Sequence, residues 1–494
     1  MRVVVRTDAS SAIGHGHVMR CLTLATELRE RDADVRFVCR EQPGDLREFV
    51  RARGFDVTTL EGGVTSWQDD ARETRAAVEA GGASPDWLVV DHYQLDARWE
   101  RELAPAVQAL LAIDDLADRP HDCDLLLDQN FFPDPERRYA SLLPGYCGRF
   151  LGAEYVLLRR EFREAAASAP SRTEPRLLIF FGGADPTGQA LTALAAALEF
   201  DPRQPMDVII GSGNPRAEEI ERRFGAIENV RLLRHTGDMA ALMARATLCL
   251  GAGGIATFER LYMNLPSIVV STAENQREPL EALAGLGCLV YLGDAAQVGR
   301  DQWKQALARW HAEPRAPAAL AVASRTGRLV NALDTCLQPF DESHIPSTFE
   351  FLRDAGLRAA FAMGDEPDWE RHVGYWRAKL AAGEEQVFAI VRGGVHVGNC
   401  GLKALPFEDG LEGWIYLSPA IERRSGLGEL AFRRLMRIAF RDRDQRRLYL
   451  HVRRENQAAL RMYEKLGFRE APSPVDSRVW GARAAEMTKL MVAA

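Results

Sequence analysis

Three groups of residues have the types and spacing that chemistry requires. The first runs from Arg6 through Asp8 and Ser10 to Gly14-x-Gly16-His17, with Arg20 one helical turn on. An imidazole exchanges protons near neutral pH, its ordinary pKa being about 6.5. Glycines let backbone N–H groups approach an anion closely. In the second group, Gly251-Ala252-Gly253-Gly254 is followed by Glu259. Such a turn admits a diphosphate, and a carboxylate one turn into the helix can accept hydrogen bonds from both ribose hydroxyls. The alternative is an ordinary helix-start turn with a solvated Glu259. The third group is Arg423-Arg424-Ser425-Gly426-Leu427-Gly428, with Asn456 and Tyr463 downstream. A lone histidine is more often structural than catalytic, and a lone Gly-x-Gly matches by chance, so the constellations carry the argument.

Each group sits where a strand gives way to a helix. Val3 to Val5 reads as a buried strand, and His17 opens an amphipathic segment through Leu28. In an open parallel sheet that junction lies at the carboxyl end of the strand, where ligands bind. Further strands are expected at Val35 to Val38, Trp87 to Val90, Leu110 to Ile113 and Leu125 to Leu127, alternating with helical patterns. This predicts a Rossmann-like α/β layer over residues 1–168. A Pro/Ser-rich stretch, Ala167 to Pro175, reads as a hinge. Strands then recur at Leu177 to Phe181, Val208 to Ile210, Leu248 to Leu250 and Ser267 to Val270, giving a second Rossmann-like layer over 174–338. Pro339 to Pro346 is polar with a Pro at each end and reads as a linker. Beyond it, over 347–494, strands at Val387 to Val391, Val395 to Leu405 and Leu411 to Leu417 are joined by short turns, which predicts an antiparallel meander. The third group of residues then opens a helix, and a strand at Leu448 to Val452 follows.

The pattern R-x-D-x-S-x-x-x-G-x-G-H-x-x-R-C-L-x-L-A over 6–25 resembles the nucleotide-sugar hydrolases of pseudaminic acid biosynthesis. That family is similar in turn to the lipid II glycosyltransferase group with the GT-B fold. The likeness covers about residues 1 to 338 and implies that His17 is the catalytic histidine beside the anomeric carbon, with His15 a bystander. It implies a UDP-sugar site of Arg6, Asp8, Gly14, Gly16, Arg20, Gly253, Gly254 and Glu259. Tyr93, in Asp91-His92-Tyr93, and Asn275 and Gln276, in Ala273-Glu274-Asn275-Gln276, join it by the same likeness. The two amides would face the sugar across the cleft, fixing a hydroxyl or N-acetyl group without competing for the reaction proton. The polar residues after the strand at Leu110 to Ile113, Asp114 and Asp115, read equally well as turn caps.

The C-terminal pattern resembles the GNAT acetyltransferases. Here the likeness implies acetyl-CoA as co-substrate, held by Arg423, Ser425, Gly426, Leu427, Gly428 and Asn456, with Tyr463 as general acid toward the departing thiolate. Consecutive N–H groups at a helix mouth suit its pyrophosphate. No general base for the acceptor amine is identifiable. The segment Phe351 to Trp376, which shapes the acceptor site in that fold, offers only His372 and Trp376 as a partial match to sugar-specific members.

Together the two likenesses imply a fusion: a GT-B pair of Rossmann-like domains followed by a GNAT domain. The implied chemistry is acetyl transfer to the 4-amino group of UDP-4-amino-4,6-dideoxy-N-acetyl-β-L-altrosamine. Hydrolysis of UDP-2,4-diacetamido-2,4,6-trideoxy-β-L-altropyranose to UDP and free sugar follows, by attack of water on the anomeric carbon. A GT-B glycosyltransferase, or a non-catalytic UDP-sugar binding module, are the alternatives for the first part. Composition fits: of 494 residues 47% are hydrophobic and 27% charged, and the net charge of -8 gives no general pull toward nucleic acid or anionic membrane. No apolar run approaches the roughly 18 residues needed to span a bilayer, and no secretory leader is evident, so a cytoplasmic protein is expected. The eight cysteines lack metal-ligand spacing and read as free thiols; no metal is expected. The basic run Arg433 to Arg447 reads as a solvated helix face.

Overall fold

The computed structural model describes the chain except residues 11–12, 64–65, 169–171, 173, 212, 235–236, 361–365, 405–409, 424, 472–487 and 494. Two compact units are present: one of residues 1–122, 126–142 and 149–326, the other of 123–125, 143–148 and 327–494.

The first unit is built on two sheets. In one, β1 (Arg2–Thr7), β2 (Asp34–Arg40), β3 (Asp56–Leu60), β4 (Trp87–Asp91), β5 (Leu110–Ile113), β6 (Leu125–Asp128) and β7 (Gly148–Leu151) take the order β3-β2-β1-β4-β5-β6-β7. Strands β3 through β5 in that order pair in parallel. In the other, β8 (Leu177–Phe180), β9 (Met206–Ile210), β10 (Val230–Arg234), β11 (Leu248–Ala252), β12 (Ser267–Ser271) and β13 (Val290–Asp294) take the order β10-β9-β8-β11-β12-β13, all parallel. Parallel sheets are covered on both faces, which is why their strands read as continuous apolar runs. In β8, Leu177 and Ile179 enter one core while Leu178 enters the core on the opposite face.

Strand order reverses at β1/β4 in the first sheet and at β8/β11 in the second. Such switch points open crevices at the carboxyl ends of their strands. The loops after β1, β4 and β11 that carry the sequence motifs all begin there. These two Rossmann-like sheets give the GT-B layout.

The second unit carries β14 (Thr335–Pro339), β15 (Glu385–Arg392), β16 (Val395–Ala404), β17 (Gly410–Leu417), β18 (Arg447–Arg453), β19 (Arg469–Glu470) and β20 (Thr488–Ala493), ordered β14-β15-β16-β17-β18-β20-β19. Strands β15 to β17 form the expected antiparallel meander, and β14 adds a fourth antiparallel strand beside β15. Between β17 and β18 the direction changes to parallel, and described pairing covers only Gly410–Glu412 against Arg447–Tyr449.

Two expectations are corrected here. Pro339 to Pro346 is not a linker: Pro339 pairs with Phe388 at the end of β14, Asp341 caps a short turn through its carboxylate, and Pro346 lies in the first turn of the helix Ile345–Leu352. The expected boundary at residue 338 therefore falls inside the third sheet. Nor is the basic run wholly solvated. Arg433 donates to the Gly145 and Cys147 carbonyls, and Arg437 to both Asp124 oxygens at 2.9 Å, because residues 123–125 and 143–148 belong to the same compact unit. Similarly, Arg172 in the expected hinge is pinned by four backbone carbonyls, of Met243, Ala244, Met263 and Asn264.

His121 gives the fold a pH dependence. Burial alone would lower its pKa, but the Asp114 carboxylate 3.7 Å from Nε2 and the Glu100 carboxylate hydrogen-bonded to Nδ1 at 2.6 Å raise it to about 9. A pKa raised on folding contributes stability that is complete below the unfolded value near 6.5 and is lost as pH rises through about 9. The thermal unfolding temperature should thus fall more steeply between pH 7 and 9.5 in wild type than in His121→Gln. Parallel curves would contradict the coupling.

Candidate active sites

The helix Gly16–Arg29 begins directly after the β1 loop, and no side chain caps its first turn. Its N-terminal residues His17 and Arg20 therefore face the switch point at the positive end of the helix dipole. They line a cleft of about 570 Å³ together with Asp8, Tyr93 and Asp115 from the first sheet and Gly254, Asn275 and Gln276 from the second. That volume suits a small-molecule ligand.

At the centre of the cleft is a buried ionic cluster. His17 Nδ1 lies 2.5 Å from Asp91 Oδ1, while Arg20 clamps Asp91 through Nε (2.6 Å) and Nη2 (2.7 Å). Arg20 Nη2 is also 3.2 Å from His17 Nδ1. The shorter contact to a charged acceptor decides the tautomer: Nδ1 donates its proton to Asp91, and Nε2 is the nitrogen left for the cleft. Burial alone would raise the Asp91 pKa, but Arg20 and His17 hold its carboxyl well below the usual range. Asp91 is thus a permanent anion under the imidazole. Tyr93 packs edge-on against His17, with ring centroids 4.4 Å apart. Its hydroxyl accepts a hydrogen bond from Asn275 Nδ2 at 3.2 Å, which joins the two Rossmann-like halves across the cleft. Burial, then the Asp115 charge, raises the Tyr93 pKa and keeps the phenol protonated.

Other expected UDP-sugar residues stand behind this surface. Arg6 is fully buried and does not line the cleft; it forks onto Asp8 and is held from behind by Asp70. Burial would raise the Asp8 pKa, but Arg6 overrides it and keeps Asp8 ionised at the cleft wall. Removing one partner of a buried ion cluster strands the others, so Arg6→Ala should cost about 3–5 kcal/mol of stability in denaturant unfolding. A loss below about 1 kcal/mol would show that the cluster is not structural. Gly14, at φ +85°, bridges to Ser10 and shapes the loop. His15, read as a bystander, comes close to the second half: a Cβ on Gly183 would stand 3.3 Å from its Nδ1.

In the second half, Gly254 (φ +87°) caps the helix Ile255–Tyr262. A Cβ on Gly253 would lie 2.8 Å from Gln276 Oε1, so a side chain there would displace the Gln276 amide. That oxygen already accepts from the Thr272 N–H. Glu259 lies one turn into the helix as expected, yet it is buried and bonded to Arg159 at 2.9 Å, and it is not part of the cleft wall. Burial raises its pKa, partly offset by Arg159.

In the second unit the third motif lies at the mouth of the helix Leu427–Arg437. Gly426 caps it at φ +82°, and the Ser425 hydroxyl accepts from the Leu427 N–H at 3.5 Å. Leu427 is buried, so only its backbone can meet a ligand. Arg423 is exposed, and Arg424 lies outside the described residues. Gly428 has ordinary van der Waals room above Leu417 and Met462. The Asn456 Oδ1 caps the helix Gln457–Lys465, which leaves its Nδ2 for other partners. The Tyr463 ring packs among Phe432 and Phe468, and burial raises its pKa. His372 and Trp376 are both buried, Trp376 stacking on Phe340 at 4.4 Å, so this partial match belongs to the core.

Comparison with known proteins matches residues 334–469 to the acetyltransferase (GNAT) domain model. The N-terminal part is 25% identical over 289 residues to the UDP-2,4-diacetamido-2,4,6-trideoxy-beta-L-altropyranose hydrolase of Campylobacter jejuni, covering 58% of this chain and 97% of that protein. It is 23% identical over 286 residues to an uncharacterized protein of Methanocaldococcus jannaschii, covering 56% of this chain and 57% of that one. The chain thus spans little more than half the length of the archaeal relative. Among solved structures, MurG of Acinetobacter baumannii covers 63% of this chain and 90% of its own at 12% identity, with a TM-score of 0.45. The chain is therefore a fusion, in which a segment related to the diacetamido-altropyranose hydrolase precedes a GNAT acetyltransferase domain.

Proposed function

We propose that the chain is a cytoplasmic, multifunctional enzyme that catalyses two consecutive steps on a UDP-linked amino sugar. The GNAT domain transfers acetyl from acetyl-CoA to the 4-amino group of UDP-4-amino-4,6-dideoxy-N-acetyl-β-L-altrosamine. The N-terminal half then hydrolyses the resulting UDP-diacetamido sugar to UDP and the free sugar. The observation that carries the hydrolase reading is the Asp91–His17 pair at 2.5 Å in a cleft lined from both Rossmann-like halves.

In this reading His17 Nε2 takes a proton from water as its oxygen attacks the anomeric carbon. The anomeric C–O bond breaks and its electron pair leaves on the β-phosphate of UDP. Asp91 stabilises the imidazolium that forms, which is preorganised charge rather than proton transfer. Helix N-termini at Gly16 and Ile255 favour the departing diphosphate. Tyr93, Asn275 and Gln276 position the sugar. In the acetyl step, Tyr463 donates to the sulfur as the amine displaces coenzyme A.

Bond cleavage tests the hydrolase step directly. With the diacetamido UDP-sugar in heavy-oxygen water, label should enter the free sugar and leave UDP unlabelled. Label in the UDP phosphate, or release of no UDP, would reject direct attack on carbon. A binding module also predicts no UDP release, and a glycosyltransferase predicts release only with an added acceptor.

A further inference from the structure

Asp115 is the residue whose surroundings the steps above leave unexplained. It follows β5 at the floor of the cleft and is only 7% exposed. Its Oδ2 accepts from Arg20 Nη1 at 2.9 Å. Its Oδ1 is buried and has no hydrogen-bond partner among the described residues. An unsatisfied buried carboxylate oxygen is costly; the protonated Tyr93 phenol stands near this carboxylate without closing a hydrogen bond to Oδ1, and at the wall of a ligand cleft the missing donor is one that the filled site supplies. The same Arg20 guanidinium holds Asp91, the carboxylate that His17 bonds, through Nε and Nη2, so one planar group ties Asp115 to the His17–Asp91 pair, and His17 and Asp115 line the same cleft.

A water molecule that attacks carbon has two protons to place. One goes to the base; the other needs a second acceptor if the attacking lone pair is to be aimed. We propose that Asp115 Oδ1 is that second acceptor, so that His17 and Asp115 together hold the attacking water. This rests on the hydrolase reading. As the new C–O bond forms, one water proton passes to His17 Nε2 and the anomeric C–O bond to UDP breaks with its electrons. The proton directed at Asp115 stays on the new sugar hydroxyl. Asp115 is acid-base neutral in the step and acts by orientation.

Methanol separates this role from a structural one. It has a single hydroxyl proton, which His17 takes, so it does not need the second acceptor. The full chain, wild type, Asp115→Asn and Asp115→Ala, is supplied with the diacetamido UDP-sugar in methanol–water, and free sugar and methyl glycoside are resolved by mass spectrometry. Asp115→Asn keeps an acceptor for Arg20, and the product ratio can be read on whatever activity remains. The expected result is a hydrolytic kcat lowered about 10²-fold with KM within about 3-fold of wild type, and a methyl glycoside to free sugar ratio that rises in both variants. An unchanged ratio, an unchanged kcat, or a loss confined to KM overturns the proposal while leaving the hydrolase reading intact; the last would mean that Asp115 binds a sugar donor instead. Failure of the wild-type chain to release UDP overturns both.

Discussion

Replacing His17 by leucine is expected to lower the release of UDP from the diacetamido UDP-sugar by about 10³-fold and to leave acetyl transfer by the same polypeptide unchanged. Leucine keeps most of the side-chain volume and removes both ring nitrogens. The variant leaves Asp91 clamped by Arg20 through two short hydrogen bonds, so the buried anion does not lose its principal partner. The effect should therefore fall on kcat, with KM nearly constant, because the imidazole acts on the attacking water and not on the nucleotide. A coupled UDP assay beside a free-thiol assay for coenzyme A reads both activities in one preparation. A loss of less than about 10-fold would mean that His17 is a structural histidine held by Asp91. Equal losses in both assays would mean that the substitution disturbs folding.

Removing the Tyr463 hydroxyl should be as selective in the other direction. Tyr463→Phe is expected to lower acetyl transfer about 10²-fold and to leave UDP release from the already acetylated sugar untouched. The ring is a core element, packed among Phe432 and Phe468, so phenylalanine preserves the packing and deletes only the oxygen. Burial raises the phenol's pKa, which keeps the proton in place for donation to a thiolate at physiological pH. If acetyl transfer survives the change, Tyr463 is a packing residue alone and the thiolate leaves without an acid.

Much of this was legible in the sequence, for reasons that also explain the rest. Strands buried on both faces, such as β1 with Val3 to Val5 and β8 with Leu177 to Phe180, announce themselves as apolar runs. The strands that escaped are chiefly those at sheet edges: β3 and β7, β10 and β13, β14 and β19. β3 reads Asp-Val-Thr-Thr-Leu and β13 reads Val-Tyr-Leu-Gly-Asp, half-exposed segments whose polar residues look like loop. Edge position and mixed composition go together, since one side of such a strand has no neighbour. The unread interior strand, β20, pairs with β18, about forty residues earlier in the chain, through a register that local pattern does not encode.

The site divides in the same way. Residues that face the ligand come from motifs, and His17, Tyr93, Asn275, Gln276 and Gly254 all reach the cleft. The pairings that tune them are not written in the motifs, although Asp91 itself stands in Asp91-His92-Tyr93. Asp91 meets His17 across 74 residues, and Asp115 meets Arg20 across 95. Both look like ordinary strand-end aspartates until the sheet order brings β1, β4 and β5 together. Arg6 shows the converse: a charged residue inside a motif, conspicuous in sequence, that the fold uses to hold Asp8 and Asp70 in place. Glu259 is similar, its carboxylate already taken by Arg159.

The most direct test of the two-step account is mass spectrometry of the wild-type chain with the UDP-4-amino sugar, with and without acetyl-CoA. The account predicts UDP and free diacetamido sugar only when acetyl-CoA is present, with the acetylated UDP-sugar as a transient. Accumulation of the acetylated UDP-sugar without UDP release would contradict the hydrolase assignment, and release of UDP from the unacetylated sugar would contradict the order of the two steps.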